Sequence, residues 1–310
     1  MATIRGLIPA MSRIPLATKD GQHGASHPWR ARVGSIATRR RVTSIMQSMF
    51  LLFVAFIMFG PVVILAVFSF SDSIVLGFPL KEFTLSWYEA AWEEPAIWSS
   101  LWASVKVAMI VTPICLVLGL ASASALTRFR FKLRALIGGF VALPLIIPWL
   151  ILGVGGLLFF SSADIELSLW TVGIMHIVIA FPLVTALLSA QLFRLDPHLH
   201  ESALDLGARE RDALRLIVLP LLFPTLAASA IFVFSWSFNN FIVSFFTAGF
   251  ENTFPIWVFS TLRRARDLPM INAISTLISG VQVLIIVAAW QMLRRAMDRR
   301  GQDIREVVAG

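Results

Sequence analysis

The sequence has a single cysteine, Cys115, so it forms no internal disulfide and builds no cysteine-based metal cluster. Charge is scarce as well: 14% of the 310 residues are charged, against 57% hydrophobic. No soluble globular domain needs that much apolar surface. The five histidines are His23, His27, His176, His198 and His200, and only His176 falls within an apolar run. A membrane haem b protein needs two axial ligands per haem, which one histidine does not supply. His198 and His200 stand off metal-ligand helical spacing and neighbour acids on a polar stretch. There is no serine nucleophile elbow, no glycine-rich phosphate loop and no pair of carboxylates inside an apolar run. A rhomboid-type protease needs a dyad, and a lone His176 among many serines is not one. If ATP is used, another chain must bind it. The net charge of +8 does not suggest nucleic acid, because the basic residues sit mostly at the ends of apolar runs, where cytoplasmic loops collect Lys and Arg.

What the chain does have is runs of about twenty apolar residues, the length that crosses a bilayer core. They predict an all-α polytopic membrane protein with six spans: about 45–70, 101–126, 136–160, 169–192, 221–248 and 271–293. Residues 1–44 are polar and basic, carry Pro9, Pro15, Gly21, Gly24 and Pro28, and end on Arg39, Arg40 and Arg41; they read as a disordered cytoplasmic segment. The apolar run behind them is too long for a signal peptide and shows no cleavage site. The segment after span 1 holds Asp72, Glu82, Glu89, Glu93 and Glu94 against Lys81 alone, and is placed outside. Ser86 to Glu89 has capping-box spacing, which predicts a short surface helix starting there. Trp87, Trp92, Trp98 and Trp102 suit an interfacial aromatic belt.

The loop after span 2 carries Arg128, Arg130, Lys132 and Arg134 with no acid, and is placed inside. Span 3 contains Pro144, Pro148, Gly153, Gly155 and Gly156, which predict a kink or local unwinding. Arg263, Arg264 and Arg266 break the positive-inside pattern in an outer segment, but the rest of the chain outvotes them. Residues 294–310, with Arg294, Arg295, Arg299, Arg300 and Arg305, form a cytoplasmic tail behind the 45–293 membrane domain. Both termini are therefore expected inside. No internal repeat is evident, which weighs against repeat-built secondary transporters.

One long polar interruption, 196–220, lies between spans 4 and 5. Asp196 suits a helix cap and Pro197 the first helical position. A short helix to Leu206 would end at Gly207, which takes a left-handed conformation at little cost. A second helix is expected up to about Leu219, before Pro220 opens the next span. Leu199, Ala203 and Leu206 fall near one face, Leu214 and Ile217 on another, and charges crowd the turn. The reading is a helix–glycine–helix knuckle at the membrane surface, one side apolar and the other presented to a partner.

The knuckle carries a resemblance. Glu201-Ser202-Ala203, then Leu206-Gly207-Ala208, then Ile217-x-Leu219-Pro220 resembles the E-A-A…G…I-x-L-P signature of permease subunits of ATP-binding cassette importers. The nine residues between its Gly and Ile are Ala208 to Leu216 here, and Ser202 replaces the second Ala. Phe238 to Gly249 and Leu268 to Ala273 are similar to motifs of the C-type permeases of spermidine/putrescine importers. The resemblance covers roughly Pro61 to Leu277 and implies a type I importer permease fold in a bacterial inner membrane. It further implies that Glu201, Ser202, Ala203, Leu206, Gly207, Ala208 and Arg209 couple to an ATPase subunit. The expected partners are ATPase subunits holding ATP and Mg²⁺, a second and different permease, an extracytoplasmic solute-binding protein and lipid, with no nucleic acid and no cofactor in this chain.

The middle of span 5 is unusually polar, and Trp149, Trp236, Ser237, Asn239 and Asn240 are the candidates for a solute pathway. The family often has acids where this chain has Asn239 and Asn240, and some relatives have one at Trp149. Asparagine offers hydrogen bonds but no charge. A polyamine could still be held by cation–π contacts with Trp149 or Trp236, and a neutral, zwitterionic or anionic solute fits as well. Helix–helix hydrogen bonding is the competing role for the asparagines. Two other classes remain open at this point: a secondary transporter or channel working without ATP, which lacks an acidic ion site, and a membrane enzyme, which lacks a catalytic constellation.

Overall fold

The computed structural model describes residues 28–72, 77, 82–129, 131–263 and 268–309; side chains are described from 43 to 295 within these ranges, except at 197, 200 and 201. Residues 1–27, Arg264, Arg266 and the side chain of Glu201 therefore lie outside the described part. The chain divides into two compact units, Met1–Gly60 and Pro61–Gly310. All regular structure among the described residues is helical.

In the first unit, helix α1 (Pro28–Phe68) begins, so residues 28–44 are helical where irregular chain is expected. Its apolar run from Thr43 has the length and hydropathy of a span. Met46, Phe50, Leu52 and Phe56 stay exposed, as side chains turned to lipid do.

The second unit is a helix bundle. Helix α2 (Ser86–Glu93) follows the expected surface position, but the expected capping box is absent. Leu85 is the cap and makes no side-chain bond, because Ser86 is already helical. Thr84 takes the capping part instead, its Oγ1 accepting from the Ser86 N–H at 3.1 Å. Trp98 donates from its indole to the Trp92 carbonyl at 2.9 Å and meets that ring edge-on, which brings these two tryptophans together at the start of α3 (Pro95–Arg128).

Helices α3, α6 (Leu169–Leu192) and α9 (Leu219–Asn239) form the packed centre, with Val111, Val172, Val184, Leu188 and Val233 in its core. Gly119 lets α3 and α6 close together: a Cβ there would sit 2.5 Å from Val184 Cγ1. Of the two outcomes expected for span 3, a kink or a local unwinding, the structure shows the second as a sharp break. Helices α4 (Arg134–Ile146) and α5 (Trp149–Ser162) meet at 103° across Ile147 and Pro148. A residue before proline is pushed out of the helical region, and Ile147 has ψ 131°. The unwinding falls at Pro148; the glycines lie inside α5, where Gly153 and Gly156 admit Phe246 and Met175.

The second knuckle helix also differs from expectation. α8 (Glu210–Ala213) passes through a π turn, Leu214–Val218, straight into α9, giving one candidate span over Glu210–Asn239. Pro220 does not restart the helix. A proline ring clashes with the carbonyl four residues back, here Leu216, and the π turn is centred on that residue. Span 5 stops early instead. α9 ends at Asn239, Asn240 is extended with ψ 110°, and α10 (Ile242–Thr247) packs against α5 and α6. Helix α11 (Phe254–Leu262) and α12 (Leu268–Ala309) complete the unit. With the bent pair counted as one, six segments can cross a membrane.

Candidate functional sites: the knuckle and the polar centre of the bundle

The knuckle begins as the sequence dictates. Asp196 caps α7 (Pro197–Asp205), its Oδ1 accepting the His198 N–H at 2.9 Å, and Pro197 follows at the first helical position. The helix ends in a double backbone closure: the Gly207 N–H donates to Leu204 O at 2.9 Å and the Ala208 N–H to Ala203 O at 3.0 Å. That closure requires a left-handed residue, and Gly207 has φ +89°. The chain then enters α8.

α7 packs on α8 and the π turn. Ala203 and Ala213 are buried there, and Leu214 and Ile217 half-buried. Leu206, expected on the apolar face beside Ala203, is instead 89% exposed. It is the C-cap, where the chain has left the helical path and its side chain no longer follows the α7 face. Leu199 and Leu216 are exposed too. Ser202, Gly207 and Arg209 are exposed and Ala208 half-buried. The result is a rigid turn tipped by an uncovered leucine and ringed by charge. Such an apolar tip is out of place in water and suits insertion into a partner surface. The backbone at Glu201 lies in α7.

The polar residues of span 5 divide into two environments. Facing inward, Ser237 lies beside His176, Oγ to Nδ1 at 2.9 Å, and Ser244 beside the same ring, Oγ to Nε2 at 3.1 Å. Ser244 also donates to the Asn240 carbonyl at 2.7 Å. A hydroxyl has one hydrogen, so Ser244 must accept from Nε2–H, which leaves Nδ1 to accept from Ser237. One imidazole thus joins α6, α9 and α10 at the break, with both ring nitrogens occupied by serine hydroxyls. Trp236 stacks edge-on against both His176 and Trp149, at 5.2 and 5.7 Å between centroids. His176 and Ser237 are buried, whereas Trp149 is 46% exposed. This is an internal brace: with both nitrogens engaged and the ring sealed, it has no free base to offer a substrate. Neither His176 nor Ser244 stands out in the sequence as a pair, since they are 68 residues apart.

The two asparagines, taken together in the sequence, separate. Asn240 is buried, and its Oδ1 accepts the Val243 N–H at 3.0 Å, starting α10. Asn239 is exposed; its Nδ2 donates to Ser235 O at 2.9 Å, and its Oδ1 lies 3.4 Å from Gln282 Nε2 on α12. Asn239 also lines a cavity of about 380 Å³ between the α9 end, α11 and α12. Ser275, Ser279 and Gln282 contribute the rest of its polar lining. Their i, i+4, i+7 spacing is the sequence signal that could have revealed them.

Comparison with known proteins agrees with this architecture. The chain is 27% identical over 246 residues to the spermidine/putrescine transport system permease protein PotC of Shigella flexneri, covering 79% of this chain and 92% of that protein. It is 27% identical over 261 residues to the putrescine transport system permease protein PotI of Escherichia coli, covering 82% and 92%. Among solved structures, a bacterial alginate ABC transporter in complex with an alginate pentasaccharide-bound periplasmic protein has a similar fold, with TM-score 0.64 at 16% identity over 86% of this chain and 98% of that one. The MetNI methionine ABC transporter in an inward-facing conformation gives TM-score 0.55 at 20% identity, over 66% and 98%. The family model described as the inner membrane component of binding-protein-dependent transport systems matches residues 115–300. The chain belongs to that family: it is a multi-pass inner-membrane permease of an ATP-binding cassette importer.

Proposed function

We propose that the chain is one of two different permeases in an importer for a small aliphatic amine, received from an extracytoplasmic binding protein and driven by ATP hydrolysis in a separate subunit. The observation that carries the coupling half is the knuckle: a turn locked by two backbone bonds, with Leu206 89% exposed at its tip. An ATPase cleft that receives this tip moves α7 and, through the unbroken α8–π–α9 rod, the centre of the bundle. Such displacement of a packed element switches a bistable bundle between outward-open and inward-open states. ATP and Mg²⁺ belong to the partner. Glu201, Ser202, Ala203, Leu206, Gly207, Ala208 and Arg209 form the coupling element, and Trp149, Trp236, Ser237, Asn239 and Asn240 surround the solute route or brace it. Both termini face the cytoplasm.

The amine half rests on the relatives, whose names describe spermidine and putrescine transport. The test is purification of the tagged chain from its own membrane, followed by amine uptake into proteoliposomes with ATP inside or outside. Co-isolation of an ATPase and a second permease is expected, with uptake only when ATP reaches the knuckle side. Uptake driven by an ion gradient with no ATP hydrolysis would overturn the coupling half.

A further inference from the structure

The cavity beside Asn239 has a lining of unusual chemistry. Many hydroxyls inside these spans bond to their own helix, as Thr112 to Ala108 O, Thr127 to Ala123 O, Thr185 to Phe181 O and Thr247 to Val243 O do, whereas Ser229 and Thr276 have no partner among the described residues. Ser275 and Ser279 are engaged by no described residue, and both line the cavity. One turn beyond Ser279 on the same face of α12, the Gln282 amide reaches Asn239 Oδ1 of α9 in a loose contact at 3.4 Å. Asn272, one turn before Ser275 on the same face of α12, has its Nδ2 buried without a partner. Polar groups at this density on a membrane helix are costly unless something uses them. The apolar walls include the rings of Phe241, Phe254 and Phe259 beside aliphatic side chains. No acidic residue is among the described lining, and the Arg263 guanidinium sits 5.2 Å over the Phe259 ring.

We propose that this cavity is a substrate-holding site for an aliphatic amine of low charge, a monoamine or diamine, with one ammonium at Asn239, Gln282, Ser275 and Ser279 and its methylenes along the three phenylalanine rings. This rests on the amine reading above. The volume, about 380 Å³, falls at the small end of ligand pockets and admits a short amine or a longer one. Size therefore does not decide between them. Charge does. Carbonyl and hydroxyl oxygens solvate one ammonium, and aromatic faces favour a cation. A further ammonium in the same cavity meets no carboxylate among the described lining residues, so each added charge goes uncompensated.

The experiment is uptake of labelled putrescine, a diamine, and spermidine, a triamine, by the complete importer in proteoliposomes at saturating binding protein. The binding protein filters solutes first, so the change on permease substitution, with the same binding protein, isolates the cavity. The native complex is expected to favour putrescine. Asn239→Asp supplies the missing carboxylate and is expected to raise the spermidine-to-putrescine uptake ratio about fivefold or more. The Ser275→Ala and Ser279→Ala pair removes two acceptors without adding bulk. It is expected to raise the KM for putrescine by a similar factor while the complex assembles normally. The site assignment is overturned if assembled Asn239→Asp and double-serine complexes keep the native ratio and KM. Native preference for spermidine overturns the charge rule, and uptake of neither amine refutes the amine reading itself.

Discussion

Gly207 offers the sharpest test of the knuckle, because the structure separates backbone conformation from packing there. Its φ is +89°, yet a Cβ added at that position would meet nothing within 4 Å. A substitution therefore costs only the left-handed backbone. That cost is about 1–2 kcal/mol for alanine and more for valine, whose branched Cβ makes positive φ a true outlier. Asparagine visits this region more readily and should cost least. One to two kcal/mol lowers the population of the closed turn roughly 5–30-fold if an open alternative competes. The two bonds to Leu204 O and Ala203 O would be lost with it, and Leu206 would leave its place at the tip. The assay is substrate-stimulated ATP hydrolysis by the complete complex in lipid, alongside uptake. Stimulation should fall in the order Asn, Ala, Val, with the packed centre of α3, α6 and α9 intact because the substitution adds no contact there. A Gly207→Val complex with native stimulation and uptake would show that the turn's shape does not matter to coupling, and the assignment of the knuckle would be wrong.

Two further outcomes follow from the fold. Gly119→Ala should destabilise the bundle by about 1–3 kcal/mol, since its Cβ would lie 2.5 Å from Val184 Cγ1, and Val184→Ala should recover most of that loss in a double-mutant cycle read by thermal unfolding. For topology, single cysteines at Glu93 and Lys132, with Cys115→Ala as background, should label from opposite sides of the membrane; labelling of both by an impermeant reagent from one side would reject the orientation.

Much of the bundle was legible because its signals are local. Leu169–Leu192 is continuous, apolar and bounded, and α6 has those limits. Asp196, Pro197 and Gly207 each fix the backbone of their own neighbourhood, so the turn could be read residue by residue before any packing was known. The sequence was less informative wherever a local feature has two structural solutions. The prolines and glycines of span 3 read as a kink or a local unwinding without saying which or where, and the chain unwinds at Ile147 and Pro148 through 103°. Pro220 reads as a helix start, yet a π turn absorbed its clash and left a continuous rod from the knuckle into the membrane. That difference bears on mechanism, because a hinge at Pro220 would decouple the knuckle from α9, whereas a rod transmits its displacement.

The polar residues of span 5 were the hardest to read, for a physical reason. Composition shows that Ser237, Asn239, Asn240 and Ser244 are polar, but not which of them another part of the chain satisfies. In an apolar medium that distinction separates structure from function. Asn240, Ser237 and Ser244 are consumed by Val243 N–H and by His176, a partner far away in sequence, so substituting them removes a brace. Asn239 remains exposed at the break, within loose reach of Gln282, and is free to exchange that contact for a solute. The break at Asn240 creates both conditions at once. By ending α9 there, the chain turns Ser244 back onto His176 and leaves Asn239 as the last helical residue, facing the cavity between α11 and α12. Under the coupling proposed above, a shift of α9 moves Asn239 directly, since Asn239 is the last residue of that rod. The same displacement pulls on the His176 brace, which ties that rod to α6 and α10. In the proposed reading, the rod from Glu210 to Asn239 starts just after the knuckle and ends at the cavity.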